Sequence, residues 1–197
     1  MIEQAIKKSF DKYLDTPLAV WVNFVNQCER VEFKKNEIIK HSHHPEKYAY
    51  FILSGSCGVF LWKDNSFVCL DITLENDFFS DYFSLVNGNP SPLETVALEN
   101  TTALRISKSK IDMIKKNKMG FRLFFIRMVD FFLSKQQQQI DLLTKTAEQR
   151  YIEMLDKQPQ IIKRIPQKHI ASYLGIRTES FSRIKKKLIQ PSFVNLS

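Results

Sequence analysis

The sequence predicts an α+β fold in three parts: an N-terminal antiparallel jelly-roll β-barrel, one long helix, and a C-terminal helix-turn-helix. Three observations carry this prediction. Short aromatic and β-branched runs follow one another between Val31 and Ile106, an apolar run of helical period covers residues 120–143, and residues 166–188 fit two helices joined at a glycine. The predicted domains are the β-barrel with N-terminal helices at 1–118, the long helix at 119–143, and the helix-turn-helix domain at 144–197.

Two short helical patterns precede the barrel. The second is predicted to begin with Thr16 as its N-cap and Pro17 in its first turn, and to bury Trp21, Phe24 and Cys28. The strands that follow are predicted at 31–33, 37–40, 48–53, 58–62, 67–73, 95–98 and 102–106. Because these strands are short and separated by turn residues, a small antiparallel barrel or jelly roll is the natural way to close them.

The long helix is unusually apolar. It follows a short helix predicted at 109–116, and its 24 residues would span about 36 Å. The predicted dimer seam consists of Phe121, Phe124, Met128 and Phe131, and Phe125, Val129 and Phe132 widen the apolar stripe. A helix buried inside a monomer would explain these side chains equally well. A long helix between a barrel and a helix-turn-helix favours a symmetric dimer, so we expect a dimerisation helix here.

The helix-turn-helix is predicted from the spacing of three residues. Ala171 is small where two crossing helices must approach, Gly175 lies four residues on in the turn, and Phe181 lies six residues further. On the second helix Phe181, Ile184 and Leu188 are predicted to pack inward against Ile170 and Leu174. A capping-box pattern at 146–149 starts the helix that should pack beneath this motif.

The opposite face of the second helix is polar and basic. Glu179 and Arg183 stand four residues apart near its start, where such a helix meets base edges in DNA. Arginine suits guanine O6 and N7, and glutamate accepts from cytosine N4; an ordinary surface ion pair is the alternative. The predicted base-contacting residues are Thr178, Glu179 and Arg183, and the predicted phosphate-contacting residues are Lys168, Arg177, Ser180, Ser182, Lys185 and Lys186.

The charge distribution points to the same end of the chain. From Thr144 onward, eleven Lys and Arg oppose four Asp and Glu, so this segment holds +7 of the net +8. The lysines at 185–187 could be simply solvated, which is the usual fate of a short charge run. Their position beside the turn instead favours contacts with a polyanion such as the DNA backbone.

Composition excludes several other classes of protein. No apolar run approaches the length of about 20 residues that a bilayer requires, and the first ten residues lack a signal-peptide core, so a cytoplasmic protein without a membrane partner is expected. Cys28, Cys57 and Cys69 are widely separated and form no zinc or iron-sulfur pattern. We see no nucleophile with a base, no phosphate loop and no set of metal ligands, so the sequence predicts neither a catalytic site nor a cofactor.

Histidines form one candidate metal cluster. His41 and His43 would share a face of a strand, and His44 follows them, but no carboxylate or thiolate completes a ligand set. A solvated histidine group at the end of a strand is the favoured interpretation, and no metal is predicted. His169, on the first helix of the helix-turn-helix, is expected at the surface or facing phosphate.

The order of these elements resembles the Crp/Fnr family of bacterial transcription regulators over nearly the whole chain. Residues 52–62 (ILSGSCGVFLW) are similar to the strand-glycine-strand signature of its cyclic-nucleotide-binding-like barrel, and residues 171–188 (ASYLGIRTESFSRIKKKL) to its recognition helix. The resemblance implies that Glu179 and Arg183 contact bases. Thr178 stands where other members often have arginine, which implies a different target sequence.

The barrel departs from members of the family that bind cyclic AMP. Those members resemble one another in a Gly-Glu pair followed by an Arg-Ser dipeptide that clamps the cyclic phosphate. Here the matching stretches read FSDY (79–82) and NPSP (89–92), with no arginine between Trp62 and Leu104. A cyclic phosphate would lack its bidentate partner, so we expect no tight binding of cyclic AMP. Two alternatives remain for the residues at this place: they line a remnant pocket for another ligand, or they fill it. These residues are Phe79, Asp81, Tyr82, Ser84 and Ser91.

Two further departures come from the same resemblance. The iron-sulfur branch of the family would need several N-terminal cysteines, and this chain has none before Cys28. Members usually follow the recognition helix with a two-stranded wing, whereas residues 189–197 contain no glycine to turn a hairpin, so a truncated wing is expected.

Three classes of function follow. The leading prediction is a homodimeric transcription regulator that binds a near-palindromic site in double-stranded DNA, with recognition helices about 34 Å apart. RNA polymerase is a further candidate partner, and an unknown small-molecule effector would act through the barrel. The alternative is an interaction protein whose barrel binds a ligand or protein and whose helix-turn-helix domain no longer recognises DNA. An enzyme is disfavoured.

Overall fold

The computed structural model describes residues 2–63 and 66–189. The truncated wing predicted at 189–197 lies outside the described residues, except that Ile189 is the last residue of a helix. The chain divides into two units, Met1–Gln136 and Gln137–Ser197, which are described separately.

The first unit is built on two antiparallel sheets. Helices α1 (Ile2–Asp11) and α2 (Leu18–Val25) precede them. The strands are β1 (Glu29–Phe33), β2 (Ile38–Lys40), β3 (Tyr48–Ser54), β4 (Cys57–Lys63), β5 (Ser66–Thr73), β6 (Phe78–Phe79), β7 (Leu93–Ala97) and β8 (Thr101–Ser107). One sheet has the order β1-β8-β3-β6 and the other β2-β7-β4-β5. The predicted antiparallel jelly roll is therefore confirmed.

The start of α2 differs from the prediction by one residue. Pro17 is the N-cap, with an extended backbone, and the helix begins at Leu18. Thr16 has a different role: its buried hydroxyl accepts a hydrogen bond from Trp21 Nε1 at 2.7 Å. This bond satisfies the indole N–H of a side chain that is itself in the core. Strand β6 and helix α3 (Tyr82–Asn87) have no counterpart in the predicted elements.

The barrel is completed by helices α4 (Lys108–Ile114) and α5 (Lys118–Thr144). A close approach at Gly120 allows the sharp corner between them. A Cβ built on Gly120 would lie 2.2 Å from the carbonyl oxygen of Ile114, so no larger residue fits without a shift of the backbone. The first turns of α5 then lie against the core formed by α1, α2 and the first sheet.

The predicted dimer seam is wrong for three of its four residues. Phe124, Met128 and Phe131 belong to a core cluster of their own unit with Ala49 and Tyr82, and Met128 is only 8% exposed. The barrel occupies this face of α5 because β3, α3 and α4 present apolar side chains to it. The exposed stripe runs beside it through Phe121, Phe125, Val129 and Phe132, and Phe125 is 57% exposed.

The second unit contains the C-terminal end of α5 and four helices. They are α6 (Ala147–Lys157), α7 (Ile161–Arg164), α8 (Gln167–Tyr173) and α9 (Thr178–Ile189). The predicted capping box is confirmed: Thr146 accepts from the backbone N–H of Gln149, and the Gln149 side chain accepts from that of Thr146. Tyr151 of α6 meets Phe181 of α9 edge to face, with ring centroids 5.2 Å apart.

None of the helices in the described part of the chain is both long enough and apolar enough to cross a membrane.

Candidate DNA-binding surface and effector pocket

A glycine turn sets the geometry of the helix-turn-helix. Gly175 has a positive φ of 70°, which favours glycine. The amide of Gly175 donates to the carbonyl of Ser172, and the amide of Ile176 donates to that of Ala171, both at 3.0 Å. These two bonds are the Schellman arrangement that ends α8. The sequence predicted this turn correctly because only glycine adopts the left-handed conformation without strain.

The contact between α8 and α9 has the predicted core. Ile170, Ala171, Leu174 and Phe181 are all buried. The prediction that Leu188 also packs inward is wrong, since it is 39% exposed. Leu188 lies seven residues beyond Phe181, about 10 Å further along the helix, where the short α8 offers no partner.

The outer face of α9 is open. Thr178, Glu179 and Arg183 are exposed, and no ion pair joins Glu179 to Arg183 among the described residues. The surface ion pair that the sequence left as an alternative is therefore not formed here. Among the predicted phosphate contacts, Lys168, Arg177, Ser180 and Lys186 are exposed, and Ser182 and Lys185 are half-buried.

Of two basic residues nearby, one has an internal ion-pair partner and the other is half-buried. Lys187 forms an ion pair with Glu148 of α6 at 2.8 Å, so one lysine of the run at 185–187 is engaged within the unit. His169 is half-buried rather than at the surface. Burial, with the nearby charge of Lys168, lowers the pKa of His169 to about 4, so this side chain is neutral at pH 7.

Arg150 positions the turn, a role that no local sequence pattern indicates. Its guanidinium donates through Nη2 to the carbonyl oxygen of Leu174 at 2.7 Å and through Nε to the same oxygen at 3.2 Å. Nη1 also donates to the carbonyl of Lys145, just after α5. One side chain of α6 therefore binds the end of α5 and the end of α8, both of which carry unsatisfied carbonyl groups.

In the barrel, the predicted pocket residues surround a buried ion pair. Lys40 Nζ lies 2.9 Å from Asp81 Oδ2, and the two side chains are 4% and 0% exposed. The same ammonium donates to Ser91 Oγ at 3.0 Å and to the carbonyl of Leu93 at 2.7 Å. Ser91 Oγ in turn donates to Asp81. All three protons of Lys40 thus have acceptors inside the protein.

Other bonds fix this network to α3. The Asp81 side chain is the N-cap of α3 and accepts from the amide of Ser84 at 3.1 Å. The hydroxyl of Ser84 donates to the carbonyl of Asn89 and accepts from the amide of Glu46 at 2.8 Å. Asp81, Ser84 and Ser91 therefore belong to a closed polar network rather than to the wall of an open pocket.

The other two predicted pocket residues lie elsewhere. Phe79 is stacked on Tyr50, with ring centroids 4.7 Å apart, in a separate core cluster. Tyr82 faces α5, where its hydroxyl accepts from Arg127 Nε at 3.4 Å. The five residues therefore do not line one pocket. Of the two alternatives that the sequence left open, the polar residues fill the space, together with Lys40 from a distant strand.

Glu46 is a second buried carboxyl group beside this network. Its Oε1 accepts from the amides of Lys47 and Tyr48 at 2.9 and 3.0 Å. Its Oε2 has no hydrogen-bond partner in the described part of the chain. Burial, opposed only in part by the backbone amides, raises the pKa of Glu46 to about 7.

The histidine cluster lies in a turn. Strand β2 ends at Lys40, and His43 has a φ of 61°, so His41 and His43 do not share the face of a strand as expected. The rings of His41 and His44 are the adjacent pair, with centroids 5.9 Å apart. Within the described residues, no group of three His, Cys, Asp or Glu is arranged to hold a metal ion.

A comparison with known families finds one likeness, in the barrel. Residues 30–118 match the family model of the cyclic nucleotide-binding domain, so this segment is similar to that domain. No curated protein sequence matches the chain.

Solved structures extend the likeness beyond this domain. FixK2 from Bradyrhizobium japonicum is 19% identical with a TM-score of 0.72, over 82% of this chain and 84% of that chain. The c-di-GMP responsive global regulator CLP from Xanthomonas campestris is 14% identical with a TM-score of 0.67, over 87% and 91%. A CooA mutant from Carboxydothermus hydrogenoformans is 18% identical with a TM-score of 0.62, over 84% and 78%. The predicted resemblance to Crp/Fnr regulators is confirmed for the fold.

The barrel thus has a lysine, not an arginine, at the centre of its polar network. Lys40 comes from β2, and its partners Asp81 and Ser91 come from the segment between β6 and β7. Sequence comparison over 79–92 shows the missing arginine but gives no indication of the lysine, which is about 40 residues earlier.

We expect a double-mutant cycle on Lys40 and Asp81 to show strong coupling. Lys40→Met or Asp81→Asn alone leaves one buried charge without its partner and should cost about 3–5 kcal/mol of unfolding free energy. The double variant removes both charges and should cost clearly less than the sum. Urea unfolding measures all four proteins. Additivity of the two single losses within about 0.5 kcal/mol would contradict this interpretation of the pair.

The raised pKa of Glu46 predicts a pH-dependent stability. The folded protein holds the Glu46 proton up to about pH 7, whereas the unfolded chain loses it near its ordinary value of 4.5. The stabilisation is complete below pH 4.5 and is lost as the pH rises through 7. Relative to Glu46→Gln, the unfolding free energy should fall by about 2–3 kcal/mol between pH 4.5 and 8. Glu32→Gln, on exposed β1, is the control and should follow the unchanged protein.

Proposed function

We propose that this protein is a dimeric, sequence-specific DNA-binding transcription regulator of the Crp/Fnr type that does not respond to cyclic AMP. The observation that carries the proposal is the exposed outer face of α9, where Glu179 and Arg183 stand unpaired within the described residues. Both side chains can therefore reach base edges without first breaking an internal contact.

Recognition of DNA needs a rigid frame and a charged surface. The Schellman turn at Gly175 and the Arg150 bonds fix α8, the turn and the end of α5 to one another. The basic excess from Thr144 onward supplies the attraction to phosphate. Arg177, Lys168 and Lys186 are exposed and serve as phosphate contacts, while Arg183 reads guanine and Glu179 reads cytosine.

Insensitivity to cyclic AMP follows from the closed network in the barrel. A cyclic phosphate could bind there only by displacing Ser91 or Leu93 from Lys40, and it would then face the carboxylate of Asp81. Two anions would share one lysine in a buried site, which is strongly unfavourable. The same reasoning applies to the phosphate groups of c-di-GMP, to which CLP responds.

The dimer forms through the exposed stripe of α5. Phe121, Phe125, Val129 and Phe132 present large apolar surfaces to solvent along about three turns of one helix. Monomeric proteins seldom expose a continuous stripe of this kind, and a two-fold axis parallel to the helix would cover it with the same stripe of a second copy.

Selection from random duplex DNA at near-physiological salt tests sequence-specific binding by the helix-turn-helix domain. The unchanged protein should enrich a near-palindrome, with or without cyclic AMP. Arg183→Ala should lose about 1–3 kcal/mol on the selected site and relax the preference at one base pair of each half-site. The matched control is Lys186→Ala, which should weaken specific and non-specific binding equally and reduce the salt slope by about 1. Equal losses in the two variants, without change in preference, would favour the interaction-protein alternative.

Sedimentation at micromolar concentration tests the dimer. Phe125→Glu places a charge in the middle of the proposed interface and should convert the protein to a monomer. Met113→Glu, at another exposed apolar side chain on α4, should leave the dimer intact. A protein that sediments as a monomer without substitution, and binds DNA as one, would refute the dimer.

A further inference from the structure

An apolar cavity of about 310 Å³ lies in the first unit, away from the Lys40 network. Its walls come from α1, α2, α3, α4, the first sheet and the beginning of α5. The rings that line it are Phe10, Trp21, Phe24, Phe78, Tyr82 and Phe124. Of the predicted pocket residues, Tyr82 alone reaches this space.

The cavity is partly open at the surface, and its volume is that of a ligand pocket. Pockets for small ligands begin at about 300 Å³. Water is a poor occupant, because most of the wall offers it no hydrogen bond. The cavity is therefore large enough for a small organic molecule and too apolar to hold an ordered cluster of water.

The two charged side chains at the wall, Arg127 and Lys115, already have partners. Arg127 donates to the carbonyl of Phe78 at 3.0 Å and pairs with Asp77 at 3.2 Å and Asp130 at 3.3 Å. Lys115 pairs with Asp112 at 2.6 Å. A charged ligand would have to break one of these pairs or remain unpaired, so the wall selects against ionised molecules.

We infer that this cavity binds a small uncharged aromatic molecule. Six aromatic side chains offer faces and edges to a planar ring, in the offset and edge-to-face arrangements that aromatic groups prefer. Met119 and Met128 add polarisable sulfur atoms to the wall, which contact aromatic rings favourably. The barrel thus has a second site, of opposite chemistry to the phosphate site that its own lysine has closed.

The position of the cavity gives the site a regulatory role. Leu123, Phe124 and Met128 line it from α5, and Phe125 and Val129 of the dimer stripe stand on the adjacent face of the same helix. A molecule between α5 and the sheet acts on the helix that carries the interface. This regulatory consequence rests on the proposed function, whereas the binding itself does not.

Methyl NMR of the full chain, with ¹³C-labelled methionine and 1-naphthol as the probe, tests the site without DNA. We expect 1-naphthol to shift Met119 and Met128 saturably with one site per chain. Met113, which is exposed on α4, and Met154, in the second unit, are internal references, and their NMR signals should not shift.

Ala49→Met fills the cavity from β3 and should weaken binding about tenfold or more. The matched control Val68→Met, on exposed β5, should bind like the unchanged protein.

Several results would overturn the inference. They are an absence of shifts at Met119 and Met128 up to the solubility limit of the probe, or equal binding by a folded Ala49→Met variant. If Ala49→Met does not fold, Leu85→Phe fills the same space from α3 and must give the same loss. Binding of decanoate without binding of 1-naphthol would overturn the aromatic class. Loss of binding in Phe125→Glu would place the probe in the dimer interface instead. Because these experiments contain no DNA, a failure of the proposed DNA binding would leave each of these results unchanged.

Discussion

The packing of the inner face of α5 against the barrel is the constraint on which the rest of the molecule depends. Phe124, Met128 and Phe131 bury themselves against β3, α3 and α4, and this fixes the rotation of the helix about its own axis. Gly120 makes the approach possible by letting α5 begin against the carbonyl of Ile114. Once the rotation is fixed, the stripe from Phe121 to Phe132 must face solvent, and the cavity beside Leu123 acquires its last wall.

The buried charged groups inside the barrel obey a separate constraint. A buried charge is tolerated only where a partner and further hydrogen bonds compensate for lost water, and Lys40 and Asp81 meet this condition through Ser91 and Leu93. The network closes the polar pocket from within. Burial raises the pKa of Glu46 to about 7, and its Oε2 has no hydrogen-bond partner among the described residues.

In the second unit, one arginine holds the turn in place, just as the inner face of α5 fixes the orientation of that helix against the barrel. Helix ends carry carbonyl groups without partners, and Arg150 satisfies those of Lys145 and Leu174 together. On the outer face of α9, Glu179 and Arg183 are exposed, while Lys187 pairs with Glu148 of α6. This separation of tasks, with anchoring on α6 and an open face on α9, supports the proposal that Glu179 and Arg183 read DNA.

The sequence by itself determined the elements whose causes are local. The glycine turn, the capping box at Thr146 and the alternating runs of the jelly roll all depend on residues within a few positions of one another, and each was predicted close to its observed place. The closed network required Lys40 to meet residues 41 to 53 positions away, which no local pattern encodes. The tertiary structure also decided which phenylalanines of α5 are buried. Helical period alone places the two stripes side by side on α5. Only the shape of the barrel determines which stripe is buried and which is exposed.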